Sequence, residues 1–263
     1  MYNPETASAE EKEYLAHYDI TKWPQVSVTT DIVIFTISET NDLSLLLIKR
    51  KETVKDENGK EVGNIEGGKW ANPGGFLDIK ESLNACAARE LEEETNLKNL
   101  PITQFGTFGD LERDPRGRII SVGYMAFVPK SKLNPRAGDD AAETQLFRIE
   151  QSLYGLKFKS DKIELNEEDL AFDHILEIKD ALTKLRNRID YTDEAFNFLE
   201  DSKSFTIYEL KKIYEAVKGV KEDGPNFRRK FLRDYVETGK VKPTGKKSKN
   251  TGSRAAELYC KVK

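Results

Sequence analysis

The strongest constraint on this chain is one helix-sized segment, Ser82–Thr95, inside the stretch Gly75–Leu97, GFLDIKESLNACAARELEEETNL. On an α-helix each residue advances about 100°, so Glu90, Glu93 and Glu94 fall within roughly an 80° arc. Leu83, Cys86 and Leu97 project into the same arc, whereas Ala85, Arg89 and Glu92 project away. Three carboxylates therefore extend an apolar, core-facing stripe. Like charges at i, i+3 and i+4 repel, and partial burial raises that cost. A bound divalent cation relieves both, and an all-oxygen ligand set suits hard Mg²⁺ or Mn²⁺ rather than zinc. The competing reading is a solvated acidic helix face; the shared apolar arc and the flanking glycines weigh against it.

The segment resembles the Nudix box: Gly, five residues, Glu, seven residues, Arg-Glu, an aliphatic, any residue, Glu-Glu, any residue, Gly, an aliphatic. Gly75, Glu81, Arg89-Glu90, Leu91, Glu93-Glu94 and Leu97 are all in register. The one departure is Asn96 in place of the last glycine. That position ends the helix in a left-handed conformation, where Asn is the usual second choice. The resemblance implies hydrolysis of a nucleoside diphosphate linked to another group, with Mg²⁺ or Mn²⁺ as cofactor. It implies Glu90, Glu93 and Glu94 as metal ligands, with the Gly75 carbonyl as an extra one. Arg89 would position Glu93 or Glu81 by an ion pair. Metal ions bridging a pyrophosphate neutralise its charge and acidify the attacking water. A further base in this family often comes from a late loop. GDDAAETQLF offers Asp139, Asp140 and Glu143, with Glu143 preferred as remote ligand or base and a solvated acidic turn as the alternative.

The remaining sequence organises around this box. Val26–Ile37 and Leu43–Arg50 read as strands, 51–66 as a loop or hairpin insertion, and Thr103–Asp110, Ile119–Val128 and Leu146–Ile149 as further strands. Asp114-Pro115-Arg116-Gly117 fits a type I turn. A short helix is expected over 10–18. A longer one is expected from an Asp173 cap to Arg188, with Ile175, Ile178, Leu182, Leu185 and Ile189 forming a seam against the first domain or a second subunit. Thr206 and Glu209 form a capping-box pair before Leu210, Ile213, Tyr214 and Val217, and Gly219 sits at the stop. Pro225 opens another helix, with Phe227, Phe231 and Tyr235 on one face and Gly239 after it. Val241–Thr244 and the alternating Leu258, Cys260 and Val262 complete a two-stranded wing, the order of a winged helix-turn-helix. The expected fold is α+β: a Nudix α/β/α sandwich with a mixed β-sheet over residues 1–190, linker helix included, and a winged helix-turn-helix over 191–263.

Charge divides along the same line. Residues 191–263 hold 17 Lys and Arg against 11 Asp and Glu, while residues 1–190 hold 25 against 35. An acidic body with a basic tail suggests different partners for the two parts, a solvated lysine-rich end being the alternative. No apolar run approaches the ~20 residues of a membrane span, and the first residues lack the basic and apolar regions of a secretory signal. Two distant cysteines make neither a disulfide framework nor a zinc site, so a reducing cytoplasm is expected and no membrane partner. Ser-His-Asp and Cys-His arrangements and NTPase phosphate loops are absent, and His17 and His174 read as surface or packing residues.

The whole chain resembles a narrower group in which a Nudix domain is fused to a C-terminal winged helix. The similar stretches are YDITKWPQVSVTTDIVIF, RDPRGRIISVGY, AGDDAAE, LAFDH and FTIYELKKIYEAV…NFRRKFL. That group includes ADP-ribose pyrophosphatases and transcriptional regulators of NAD metabolism. Some of its regulators have lost the box carboxylates and only sense ADP-ribose; this chain has kept them. The resemblance therefore implies an ADP-ribose pyrophosphatase yielding AMP and ribose 5-phosphate. The alternative is an ADP-ribose-responsive regulator binding double-stranded DNA, and a symmetric homodimer is expected in either case. Arg113, Arg116 and Arg118, around the ERDPRGR turn, are candidate phosphate contacts because guanidinium binds phosphate bidentately, with merely exposed hairpin arginines as the alternative. Tyr18, Trp70 and Phe76 are candidates for base recognition that pattern alone does not assign. Asn226, Arg228, Arg229, Lys230 and Arg233 lie on the expected recognition helix, clear of its aromatic face, and Lys246, Lys247, Lys249 and Arg254 in the wing are candidate phosphate contacts.

Overall fold

The computed structural model describes residues 5–133, 141–248 and 255–262. Asp139, Asp140, Lys249 and Arg254 lie outside them. In chain order the elements are α1 (Ala9–His17), β1 (Ser27–Ile37), β2 (Leu43–Arg50), β3 (Thr53–Lys55), β4 (Glu61–Gly63), β5 (Trp70–Ala71), β6 (Gly74–Phe76), α2 (Leu83–Thr95), β7 (Ile102–Phe108) and β8 (Ile119–Phe127). They continue with β9 (Ala141–Ser152), β10 (Gly155–Lys159), β11 (Glu164–Leu165), α3 (His174–Arg188), α4 (Ile207–Lys218), α5 (Gly224–Phe231), β12 (Val241–Lys247) and β13 (Glu257–Lys261). No helix among the described residues is long and apolar enough to cross a membrane.

The main sheet runs β11-β10-β9-β2-β1-β8-β7, with β5 added on β2 and β6 on β1. It is mixed: β1 and β8 pair in parallel, and their neighbours pair antiparallel. Within β1 the run Ile32–Phe35 is unbroken apolar because both faces of the sheet are covered there. Ile32 and Ile34 pack with Leu46, Val122, Tyr124 and Ala126 against Ala87 and Leu91 of α2. Val33 and Phe35 turn the other way, with Leu45, Leu47, Met125 and Phe127, onto Ile178, Leu182 and Leu185 of α3. The period-two alternation of β1 thus fills two cores and builds the expected α/β/α sandwich. The α3 seam is core packing rather than an unpaired face.

The second core continues through Phe196, Phe198 and Phe205 into the C-terminal module, where Leu210, Phe227, Phe231 and Tyr235 are buried. The Thr206–Glu209 capping box forms as expected, and Gly219 closes α4 at φ 70°. Helix α5 opens at Gly224 after an Asp223 cap, one residue before the expected start, with Pro225 in its first turn, and runs on as a π-helical turn over Leu232–Val236. Strands β12 and β13 form the wing.

Several boundaries differ from expectation. Strand β9 starts at Ala141, before the expected Leu146, because it pairs with all of β2. Strands β10 and β11 were not expected; β10 follows a turn at Gly155, φ 126°, and pairs back along β9. The 51–66 segment is the β3–β4 hairpin. Helix α1 buries none of its residues.

Helix α2 ends on Asn96 at φ 57°, ψ 21°, where its N–H reaches the Glu92 carbonyl. A residue with a Cβ and no local side-chain bond is disfavoured there by about 1–2 kcal/mol. Asn96→Ala is expected to cost about 1 kcal/mol in urea unfolding and Asn96→Gly to be neutral or slightly stabilising. Equal stability of the two variants would contradict a left-handed stop.

Candidate active site

Strand β6 and helix α2 bring the box together. Gly75 pairs with Thr30 of β1, and α2 packs its Cys86–Leu91 side against the sheet. The Glu90 carboxylate then comes so close to Gly75 that a Cβ there would lie 2.3–2.6 Å from it. A Cβ on Gly74 would meet the Thr30 carbonyl at 2.2 Å. Gly74 is required by close approach to backbone, not by positive φ, whereas a Cβ at Gly75 would have to push the Glu90 carboxylate aside. The Gly74 N–H donates to Glu94 Oε2 at 2.7 Å.

Arg89 is the hub. Its Nη2 and Nε donate to the two oxygens of Glu81, at 2.6 and 3.1 Å. Its Nη1 donates to Glu90 at 2.6 Å and to Glu93 at 3.0 Å, and Nη2 also reaches the Phe76 carbonyl at 3.1 Å. The helical projection sends Arg89 away from the glutamate arc; its long stem brings the guanidinium back to it. Arg89 hydrogen bonding holds the Glu81 carboxyl down at about 2. Burial pushes Glu90 above the usual carboxylate range despite Arg89. Glu90 and Glu94 are buried, whereas Glu93 is exposed. Two buried carboxylates beside a cradle that a Cβ would fill form a donor set that fits a hard dication.

A cavity of about 360 Å³ opens from Gly74, Gly75 and Glu94. Arg116 and Phe172, with Arg50 and Phe76, form a layered stack on it. The Arg116 guanidinium lies 5.2 Å from the Phe76 ring and 5.1 Å from Phe172, and Arg50 lies 5.1 Å from Phe172. Asp114 binds Arg116 through both its oxygens. Phe172 adopts φ 50°, a rare backbone state for a bulky residue and one concentrated at functional sites.

A buried polar network closes the cavity floor. The Asn72 N–H donates to His174 Nδ1 at 2.8 Å, and Asn72 Nδ2 donates to Glu177 at 3.0 Å. Arg113 forks onto Asp173, at 2.9 and 2.6 Å, and also reaches Glu177 at 3.1 Å. Burial, reinforced by Asp31, raises the Glu177 pKa, and burial lowers that of His174. Among the described residues, ligand atoms of Asp31, His174 and Glu177 lie within 4.8 Å of one another. The Asn72 N–H occupies the His174 Nδ1 lone pair, which places the proton of the neutral ring on Nε2. Each member of this trio is already engaged by a neighbour, Asp31 by the Ser121 hydroxyl, His174 by Asn72, and Glu177 by Asn72 and Arg113, so it is not an open ligand set. The box glutamates do not form so tight a group, because Arg89 holds Glu93 outward and Gly74 holds Glu94.

The expected site residues therefore separate. Glu90, Glu94, Gly75 and Arg89 converge. Arg113 lines the cavity, but it is buried and already holds two carboxylates, not exposed on a hairpin. Asp173 is spent on Arg113 and makes no side-chain cap. Arg118 donates to the carbonyls of Gly109 and Asp110 and does not line the cavity. Glu143 is not in a loop: it lies in β9 opposite Lys49, exposed and away from the cavity lining. Trp70 is buried in the core, and Tyr18 is exposed on the N-terminal arm. On the C-terminal module, Asn226, Arg228, Arg229 and Arg233 are exposed. Lys230 instead pairs with Asp190 and lies 5.1 Å from the Tyr214 ring. Arg50, Asn72, Phe172 and Glu177 were missed; the stretch LAFDH held two of the cavity residues, but no spacing rule marks them.

Fold and site together define a glutamate-box α/β/α sandwich joined to a winged helix. The chain belongs to the NUDIX family: the NUDIX domain matches residues 28–166, and the NrtR DNA-binding winged helix domain matches residues 195–260. It is 30% identical to the ADPR responsive transcriptional repressor NtrR of Acinetobacter baylyi, over 95% of this chain and 87% of that one. It is 34% identical to the ADP-ribose pyrophosphatase of Methanocaldococcus jannaschii, over 54% of this chain and 67% of that one. Its structure is similar to that of Shewanella oneidensis NrtR complexed with a 27mer DNA, at 28% identity and a TM-score of 0.64, covering 89% of this chain and 93% of that one. NUDIX domains generally use a divalent metal.

Gly75→Ala is expected to displace Glu90 and weaken Mn²⁺ binding by about tenfold or more, read by titration calorimetry on folded protein. Unchanged affinity would contradict the close approach.

Proposed function

We propose that the chain is a Mg²⁺- or Mn²⁺-dependent pyrophosphohydrolase acting on ADP-ribose, with AMP and ribose 5-phosphate as products. The observation that carries this reading is the intact Glu90, Glu93 and Glu94 set, with Arg89 holding Glu90 and Glu93 and the Gly74 N–H holding Glu94. A dication held by those carboxylates and the Gly75 carbonyl would neutralise pyrophosphate charge and acidify water. The residues of the chain do the rest. Arg89 holds Glu81, Glu90 and Glu93 in register. Arg116 and Arg50, stacked on Phe172, bring positive charge to the cavity, and the exposed Phe76 ring brings a flat apolar surface that suits a nucleoside. Glu94 and Glu90 stand nearest the glycine loop and are the proposed catalytic carboxylates. Glu143, exposed in β9 opposite Lys49, stays in the proposal only as a remote base. The pyrophosphatase relative supports the substrate class.

A second reading is compatible: DNA binding that responds to the same ligand. The winged-helix match, the repressor relative and exposed Asn226, Arg228, Arg229 and Arg233 support it. We place the functional boundary after residue 190, with residues 191–263 as the DNA-reading part. A homodimer in a reducing cytoplasm completes the proposal; the exposed Tyr14, Leu15, Ile20 and Trp23 of the N-terminal arm offer apolar surface for a second copy.

The wild-type protein with Mg²⁺ should release AMP from ADP-ribose, and Glu94→Gln should lose about 10²-fold or more in kcat. Absence of turnover on ADP-ribose and on a panel of nucleoside diphosphate derivatives would overturn the enzymatic reading. In gel shifts with DNA from upstream of its own gene, Arg229→Ala should lower the salt dependence of log K by about one. Lys230→Ala should leave that slope unchanged, because Asp190 already holds this lysine. Equal slopes for the two variants would contradict the orientation of the recognition helix.

A further inference from the structure

A second, larger cavity of about 890 Å³ lies away from the box, between one end of strands β1, β2 and β9 and the winged helix. One wall is the loop after β1 and the β9–β10 turn; the other is the C-terminal end of α4. Four cations line it, Arg186, Lys212, Lys218 and Lys221, against two carboxylates, Asp42 and Glu215. Both carboxylates are already engaged, Glu215 in part by Lys212 of the same wall. Glu215 accepts from Lys211 and Lys212 and from the Glu222 N–H. Asp42 accepts from the Thr40 hydroxyl and lies 3.7 Å from Arg148. Lys218 is held by Asp190 and Glu222.

Arg186 is different. It is half-buried, and its Nε donates to the Val217 carbonyl at 2.9 Å while Nη1 donates to Gln151. Among the described residues it makes no ion pair, and burial lowers its pKa with no carboxylate to offset the loss of water. Such a cation is ordinarily paired. Its other Nη donors have no acceptor among the described residues, and Lys221 on the same cavity wall makes no ion pair there either. We propose that this inter-module groove binds a small phosphate-bearing anion, with the Arg186 guanidinium as principal contact and Lys221 as a rim contact. Guanidinium offers the forked donors that a phosphate takes, and domain junctions are common ligand sites. A ligand there would bridge β9, α3 and α4 and stiffen the junction. Inorganic pyrophosphate, a nucleotide and a sugar phosphate share this chemistry.

The test is calorimetric titration of the full chain in EDTA at constant ionic strength, in separate arms with inorganic pyrophosphate, AMP and ribose 5-phosphate. Saturable one-to-one binding is expected in at least one arm, and the tightest arm identifies the source. Arg186→Gln keeps a donor for the Val217 carbonyl and should weaken binding by about tenfold. The exposed Lys221→Ala should weaken it about threefold without touching the fold. Glu94→Gln should leave it unchanged, which separates this groove from the box. No saturable binding up to about 10 mM, or binding that Lys221→Ala and Arg186→Gln both leave intact, would overturn the proposal. If Arg186→Gln fails to fold, the Lys221→Ala result decides alone.

Discussion

One guanidinium organises the box. Arg89 gathers Glu81, Glu90 and Glu93 and also binds the Phe76 carbonyl. It thereby ties α2 to β6, the strand that carries the glycines. Crowded carboxylates on one helix would otherwise splay apart, and Glu90 could not stay pressed against Gly75. The remaining geometry follows: β6 pairs with β1, β1 pairs with β8, and the apolar face of α2 seals one side of the sheet. Glycine is needed at 74, where the Thr30 carbonyl occupies the space a methyl would take, and glycine at 75 lets the Glu90 carboxylate stay in place.

Helix α3 serves both modules. Its first turn supplies His174 and Glu177 to the cavity floor, and its flank packs on the sheet. Just beyond its end, Asp190 pairs with Lys218 and Lys230, and Asp193 with Lys240 and Lys261. These are partly exposed pairs, each worth about 0–1 kcal/mol. Burying one Phe contributes about 1.5–3 kcal/mol, and Phe196, Phe198 and Phe205 are all buried at the junction. Apolar packing therefore holds the winged helix in place, and the aspartates select its orientation.

The box was legible because its chemistry is local: spacing along one helix dictates which carboxylates meet. Helices α3, α4 and α5 were legible for the same reason, through period and caps. What was not legible depended on distant partners. Arg113 reads as an exposed turn residue until α3 brings Asp173 and Glu177 to it across the fold. Lys230 reads as a DNA contact until Asp190 captures it. Glu143 reads as a loop acid because β9 looks apolar only from Leu146, yet β2 offers pairing partners as far as Ala141. Phe172 has no sequence signature at all, since its left-handed backbone is set by what surrounds it.

The central claim is that the box carboxylates, and not the neighbouring Asp31, His174 and Glu177 network, hold the dications. Anomalous scattering from crystals soaked with Mn²⁺ tests it most directly. The account predicts manganese peaks bounded by Glu90, Glu94 and the Gly75 carbonyl, with Glu93 swung in from Arg89. A peak on Nε2 of His174, with none beside Gly75, would contradict it.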